Sequence, residues 1–438
     1  MLFRSRQLSS PALRHLQRLW FNYGVFWLGA ILVGLVAVFY AKLIDWTFEG
    51  FQALEHRAFW LPLIVTPLGS ALAIWLTQKY FRGSEGSGIP QVIATLEESK
   101  LGPTLLSLRI MFGKIAISLL GILCGFTIGR EGPTVQIGAS LMYAMRRTYR
   151  RSSIQIERQL TLAGAAAGLS AAFNTPLAGV VFAIEELSRS FEQRASGTLI
   201  TAIIFSGIVT LGIQGNYLYF GRIQATGAFS STVILAVVVV SIVTGLMGGL
   251  FSWLLLNIPR WIPSPLLTLR HSRPVQFALV CGVLIAVLGI VSGGASYGSG
   301  YPEARALLES HHLLSPFYTF LKFAALVVSY ISGIPGGIFS PSLSIGAGLG
   351  QLMSYLFSSM PMPFLIALCM GGYLAAVTQS PITAFVIVVE MIDGHQMVIP
   401  LMASALLASR VSRLFSPPLY HTISHRFLQP TVPAPERA

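Results

Sequence analysis

Apolar segments recur along almost the whole chain, at about 23–46, 58–80, 101–128, 160–188, 198–222, 230–259, 275–294, 316–333, 342–359, 363–392 and 397–415, with short polar stretches between them. Bilayer hydrocarbon is about 30 Å thick, so an apolar run of roughly 20 residues is long enough to cross it as a helix. In hydrocarbon every backbone amide and carbonyl has to find its partner inside the protein. A chain built this way is an all-α polytopic membrane protein. Composition removes the soluble alternative: only 10% of the residues are charged, against about 25% in a soluble domain. The first apolar run begins near Phe21 behind mostly polar residues and is as long as a full span. It reads as a membrane helix rather than a cleaved signal peptide.

The charge that remains is lopsided, with 29 Lys and Arg against 16 Asp and Glu and a net charge of +13. A nucleic-acid partner would explain the excess but not the hydropathy. The arginines instead cluster at segment ends, at Arg4, Arg6, Arg14 and Arg18, at Arg146, Arg147, Arg150 and Arg151, at Arg189 and Arg194, and at Arg410 and Arg413. Positive-inside logic makes those segments cytoplasmic and the partner of the apolar surface a lipid bilayer. The expected setting is the inner (plasma) membrane, with both termini cytoplasmic.

Gly and Pro, 42 and 24 in number, interrupt several segments. Irregular backbone at membrane depth is tolerated where it lines a cavity within protein, so broken helices are expected. The chain also repeats itself. Gly86-Ser87-Gly88-Ile89-Pro90 returns 212 residues later as Gly298-Ser299-Gly300-Tyr301-Pro302. Phe112 with Lys114, and Ile137-Gly138-Ala139, return 208 residues later as Phe320 with Lys322 and Ile345-Gly346-Ala347. Pro176 with Glu185 returns 205 residues later as Pro381 with Glu390. Matches in one order with a slowly drifting offset indicate duplication, an architecture many secondary transporters share. The repeat alone leaves parallel and inverted halves equally open.

Candidate chemistry lies in the interruptions. Gly86-Ser87-Gly88-Ile89-Pro90 and Gly333-Ile334-Pro335-Gly336-Gly337-Ile338-Phe339 read as helix starts with outward-facing amides, suited to an anion. Ordinary breaks between packed helices are the bland alternative. Gly129-Arg130-Glu131-Gly132-Pro133 puts a carboxylate at the end of a membrane span, costly unless paired or functional. It is either an Arg130–Glu131 ion pair or a carboxylate that imitates a bound anion when charged and leaves when protonated. Glu185-Glu186 is either a solvated helix end or a proton entry point, and Lys114 and Lys322, in apolar surroundings, call for carboxylate or anion partners. The histidines, His15, His56, His271, His311, His312, His395, His421 and His425, have no metal-ligand spacing. Cys124, Cys281 and Cys369 read as buried free thiols. Neither a nucleophile elbow nor a phosphate-binding loop is present, so an intramembrane enzyme has no support; no metal and no cofactor are expected.

In order and spacing, Gly86-Ser87-Gly88-Ile89-Pro90, Gly129-Arg130-Glu131-Gly132-Pro133 and Gly337-Ile338-Phe339-Ser340-Pro341 resemble the anion-binding segments of the CLC chloride channel and transporter family, and the resemblance runs from about residue 25 to Tyr420. It implies two inverted-topology repeats of tilted, partly spanning helices in a homodimer with one anion pathway per subunit. It also implies that Ser87 and Tyr420 supply hydroxyls to the central anion site, and that main-chain amides of Ile338 and Phe339, and of Arg130 through Gly132, complete the neighbouring sites. Glu131 resembles the gating glutamate and Glu186 the internal proton-transfer glutamate of proton-coupled members. Ser87 resembles chloride-type rather than nitrate-type members, and Ser87 with Tyr420 argues against the fluoride branch. The implied activity is chloride–proton antiport; a passive voltage- or pH-gated chloride channel of the same fold is the competitor. The expected organisation is a basic segment 1–22, a transmembrane domain 23–420 with repeats at about 23–225 and 230–420, and a short tail 421–438 without the paired nucleotide-binding (CBS) modules of eukaryotic members.

Overall fold

In a computed structural model of the chain, residues 23–149, 153–188, 197–215, 219–221, 231–309 and 313–428 are described. The basic N-terminal segment, Arg150, Arg151, Arg189, Arg194, His311-His312 and the last ten residues lie outside them. The helices of seven or more residues are α1 (Val25–Arg57), α2 (Pro62–Tyr80), α3 (Ile89–Glu97), α4 (Leu108–Leu123), α5 (Glu131–Ala144), α6 (Ile154–Phe173), α7 (Pro176–Phe182), α8 (Gly197–Gln214), α9 (Ser231–Leu256), α10 (Ser264–Ser272), α11 (Pro274–Val291), α12 (Tyr301–Glu309), α13 (Tyr318–Ile331), α14 (Phe339–Leu356), α15 (Met362–Thr378), α16 (Pro381–Ile392), α17 (Val398–Arg413) and α18 (Leu419–Leu428).

Among the described residues, only α1, α8, α9 and α11 are single helices long and apolar enough to cross a bilayer; the stretch Ser99–Leu123 is bent by 50° at a break. The breaks fall where the backbone demands them. Pro176 and Pro381 lack the amide that would continue a preceding helix, so the apolar runs 160–188 and 363–392 each divide there. The fragments that result end inside the protein, which is what places helix termini at membrane depth.

Layering follows from side-chain character. α8, α9 and α11 are apolar all round and keep residues such as Ile208, Leu246 and Val287 exposed, a surface fit for lipid rather than water. α5 and α15 are rich in small residues and almost wholly buried, as are α6 from Leu160 onward and α14 as far as Gln351. A Cβ on Gly138 would overlap the Gly164 carbonyl, and one on Gly346 would lie 2.6 Å from the Met370 Cα. α5 therefore meets α6, and α14 meets α15, backbone to backbone, as small residues allow in membranes. Gly138 and Gly346 are repeat mates.

Contacts between repeat mates show how the halves are related. Gly129 and Gly337, 208 positions apart, form an antiparallel bridge, each amide donating to the other's carbonyl at 2.7 and 2.8 Å. Glu185 accepts from the Ile382 and Thr383 amides at 3.0 and 2.6 Å, and Glu390 accepts from the Leu177 and Ala178 amides at 3.2 and 2.7 Å. Each glutamate thus caps the helix that carries the other. Reciprocal bonds of this kind arise when two like segments run antiparallel about a two-fold axis, the inverted rather than the parallel arrangement. Lys114 and Lys322 obey the same symmetry. Lys114 donates to the Ser84 and Gly86 carbonyls, both at 2.7 Å, and Lys322 to those of Ser296, Tyr297 and Gly298 at 3.1, 2.8 and 3.0 Å. The carboxylate or anion partners expected for these lysines are replaced in direct contact by carbonyls of the turn before each Gly-Ser-Gly helix. Cys124, Cys281 and Cys369 are buried free thiols.

Candidate anion and proton site

Three helix N-termini from distant parts of the chain meet at the Gly129–Gly337 bridge. α3 enters through Gly88, whose φ of 99° is left-handed and suits glycine. The turn before it is tied to the last segment, because the Gly336 amide donates to the Gly86 carbonyl at 3.0 Å. At α5, a Cβ on Gly132 would lie 2.8 Å from the Ser87 carbonyl and overlap the Ser87 hydroxyl. At α14, a Cβ on Gly337 would lie 2.9 Å from the Gly132 amide nitrogen. The glycines are therefore the condition for convergence, since any side chain would hold the three helix starts apart. The first amides of each helix have no intrahelical acceptor, and each N-terminus carries roughly +0.5 of a charge.

The predicted residues come together here. Ser87 and Tyr420 are 1% and 0% exposed. Their hydroxyls lie close enough to interact, yet neither makes a hydrogen bond of acceptable geometry among the described residues. Tyr420 arrives on α18, which packs against α3, and its ring lies 6.0 Å from that of Phe339 at the start of α14. Residues 421–428, expected to belong to a tail, form the rest of that helix.

Glu131 is fully buried. Its carboxylate does not pair with Arg130, whose guanidinium reaches Asp45 at 3.3 Å and lies 5.6 Å above the Tyr219 ring. Nor does it sit over its own helix start. It accepts from the Ser340 hydroxyl and from the Ser340 amide at 3.3 Å, so it occupies the N-terminus of α14 in the other half. Beside it opens a cavity of about 440 Å³ lined by Lys42, Asp45, Arg130, Tyr219, Ser299 and Tyr301.

On the other side of Tyr420, α7 ends in a π-helical turn, Ala183–Leu187. That wider turn sends the adjacent carboxylates to different partners. Glu185 caps α16, also accepting from the Thr383 hydroxyl at 2.8 Å. Glu186, only 4% exposed, accepts from the Ser380 hydroxyl and lies 4.0 Å from the His421 imidazole. This pair is not a solvated helix end. Tyr420 is within electrostatic range of both Glu131 and Glu186. Sequence reasoning missed Ser340, Ser380, Asp45 and His421. Ser340 stood inside the quoted motif, and His421 follows Tyr420 directly; for Ser380 and Asp45 the chain offers no local signal.

A sequence profile described as voltage gated chloride channel matches residues 69–413. The H(+)/Cl(-) exchange transporter ClcA of Salmonella typhi is 32% identical over 422 residues, covering 91% of this chain and 86% of that protein; ClcA of Salmonella arizonae matches over the same span with the same identity. Among solved structures, a slow cyanobacterial Cl-/H+ antiporter superposes with a TM-score of 0.77 at 24% identity, covering 92% of this chain and 98% of that one. A CLC-type fluoride/proton antiporter also gives 0.77, at 21% identity with 91% and 96% covered. At such identities the structures speak for the fold.

Proposed function

The chain belongs to the voltage gated chloride channel family, and from that premise we propose that it is a secondary antiporter exchanging chloride for protons. The observation that carries the reading is the Glu131 carboxylate seated on the α14 amide and hydroxyl of Ser340. A carboxylate already fills the role of an anion at a helix N-terminus. When Glu131 is charged it competes with chloride there; when protonated it leaves, and chloride takes its place. Chloride occupancy of that seat is thus linked to the protonation of Glu131, and this linkage is what lets a gradient of one ion drive the other.

In this reading chloride sheds water between the ends of α3, α5 and α14. The hydroxyls of Ser87 and Tyr420 hold it; both are buried, and neither has a well-formed hydrogen bond among the described residues, a state that costs about 1–3 kcal/mol unless a ligand satisfies it. Main-chain amides of Ile338, Phe339, Arg130 and Gly132 complete the neighbouring positions. Attraction by partial charges holds an anion without trapping it. Glu186 hands protons to and from the side opposite the Glu131 cavity. Arg146, Arg147, Arg410 and Arg413 make that side cytoplasmic by charge bias, in an inner (plasma) membrane. Repeats at about 23–225 and 230–420, a homodimer, and transport without enzymatic chemistry belong to the same proposal.

Reconstituted in liposomes with only a chloride gradient, the protein should drive protons uphill. Glu131→Gln should leave chloride flux insensitive to pH and uncoupled, whereas Glu186→Gln should keep chloride flux and lose proton movement. Passive chloride flux with no proton movement in the unmodified protein would establish the channel instead.

A further inference from the structure

Glu186 is only 4% exposed and held by the Ser380 hydroxyl, so it does not trade protons with bulk water directly. The His421 imidazole stands beside it and is partly exposed. Its Nε2 is 4.0 Å from Glu186 Oε1, and its side chain is 20% exposed against 4% for Glu186. The placement follows from the chain: Tyr420 occupies the inward face of the first turn of α18, and the next residue is rotated by about 100° around the helix, toward the π-helical turn that carries Glu186.

We propose that His421 is the proton relay connecting cytoplasmic water to Glu186. The inference rests on the antiport reading above. An imidazolium gives up its Nε2 proton, the Glu186 carboxylate gains an O–H bond, and neutral His421 is reprotonated from water; in the outward stroke the same bonds form and break in reverse. A single bridging water or a small rotation closes 4.0 Å, and imidazole is the side chain that gains and loses a proton near neutrality.

Among the described residues, the other ionisable groups nearby do not fill this role. Glu185 is bound to the Ile382 and Thr383 amides, and Arg413 donates to the Gln379 carbonyl at 2.9 Å. Tyr420 is fully buried on the anion side, and His425 and Arg426 lie a turn further along α18. Of the helices packed against α18, α3 brings Glu97 at its C-terminus, α9 brings no ionisable side chain, and α15 brings only the buried Cys369 and Tyr373.

The test is His421→Gln in the full-length protein, with chloride and proton fluxes measured on the same liposomes. Chloride flux should stay within about twofold while proton flux falls by about tenfold or more, and imidazole added on the cytoplasmic side should restore proton flux. Unchanged proton flux would overturn the relay. So would parallel loss of both fluxes, which marks a structural or anion role, and so would proton flux that stays low in imidazole, which marks a positioning role. Absence of proton movement before any substitution overturns the antiport reading and the relay with it, and is recognised by that timing.

Discussion

Ser340 offers the sharpest test of competition between Glu131 and chloride. Its hydroxyl and amide both donate to the Glu131 carboxylate, and both residues are buried. Ser340→Ala removes the hydroxyl and leaves the amide bond and the helix end intact. A hydrogen bond to a charged group contributes about 1.5–3 kcal/mol, so the seated form of Glu131 should lose about tenfold to about 100-fold in equilibrium population. Chloride competes with that form, and its apparent affinity rises as the competitor retreats. Chloride titration by calorimetry, at a pH where Glu131 is charged, should therefore show tighter binding for Ser340→Ala. Glu131→Gln removes the competing charge, and in that background the Ser340 substitution should add little. If Ser340→Ala leaves chloride affinity unchanged, or shifts it equally with and without Glu131, the two residues are not coupled and Glu131 is not the competitor.

The reciprocal caps predict a matched pair of stability losses. Glu185→Ala and Glu390→Ala each strip a helix start of its carboxylate and should each cost about 1–2 kcal/mol. The two caps lie at opposite ends of a helix pair roughly 15 Å long, so the double variant should show the sum of the two melting shifts in detergent; a double no worse than either single variant would refute independent capping. Lys322→Met orphans the Tyr297 and Gly298 carbonyls and Lys114→Met only that of Ser84, because Ser296 still accepts from the Thr127 hydroxyl and Gly86 from the Gly336 amide, with each orphan costing about 1–3 kcal/mol. Thermal unfolding should rank Lys322→Met as the more damaging, and the reverse order would refute the carbonyl account.

Much of the helical plan was legible because hydropathy acts locally. The apolar runs 198–222, 230–259 and 275–294 correspond closely to α8, α9 and α11, and Pro176 and Pro381 marked two breaks that the backbone obeys. The short helices α3, α12 and α18 escaped the hydropathy pass, since a fragment too short to span carries no span-length signal. The motif glycines were equally legible, because a helix start that admits no Cβ has few alternatives. Partners were not. Arg130 stands next to Glu131 in sequence yet pairs with Asp45, and Lys114 and Lys322, which called for charge, are satisfied by carbonyls of their own repeat.

The sequence by itself determined that this chain lives in a bilayer, is duplicated, and breaks its helices where an anion would want amides, since each of these is a property of composition or of a few consecutive residues. Only the tertiary structure decided that the duplicates run antiparallel, that the Glu131 carboxylate seats on α14 rather than α5, and that His421 stands beside Glu186. Those outcomes depend on which segments meet, and hydrophobic burial, being non-directional, drives segments together without naming the partner. The partner is chosen by close backbone approach at Gly129, Gly132 and Gly337 and by the need to satisfy every polar group at membrane depth, conditions that exist only once the whole chain has assembled.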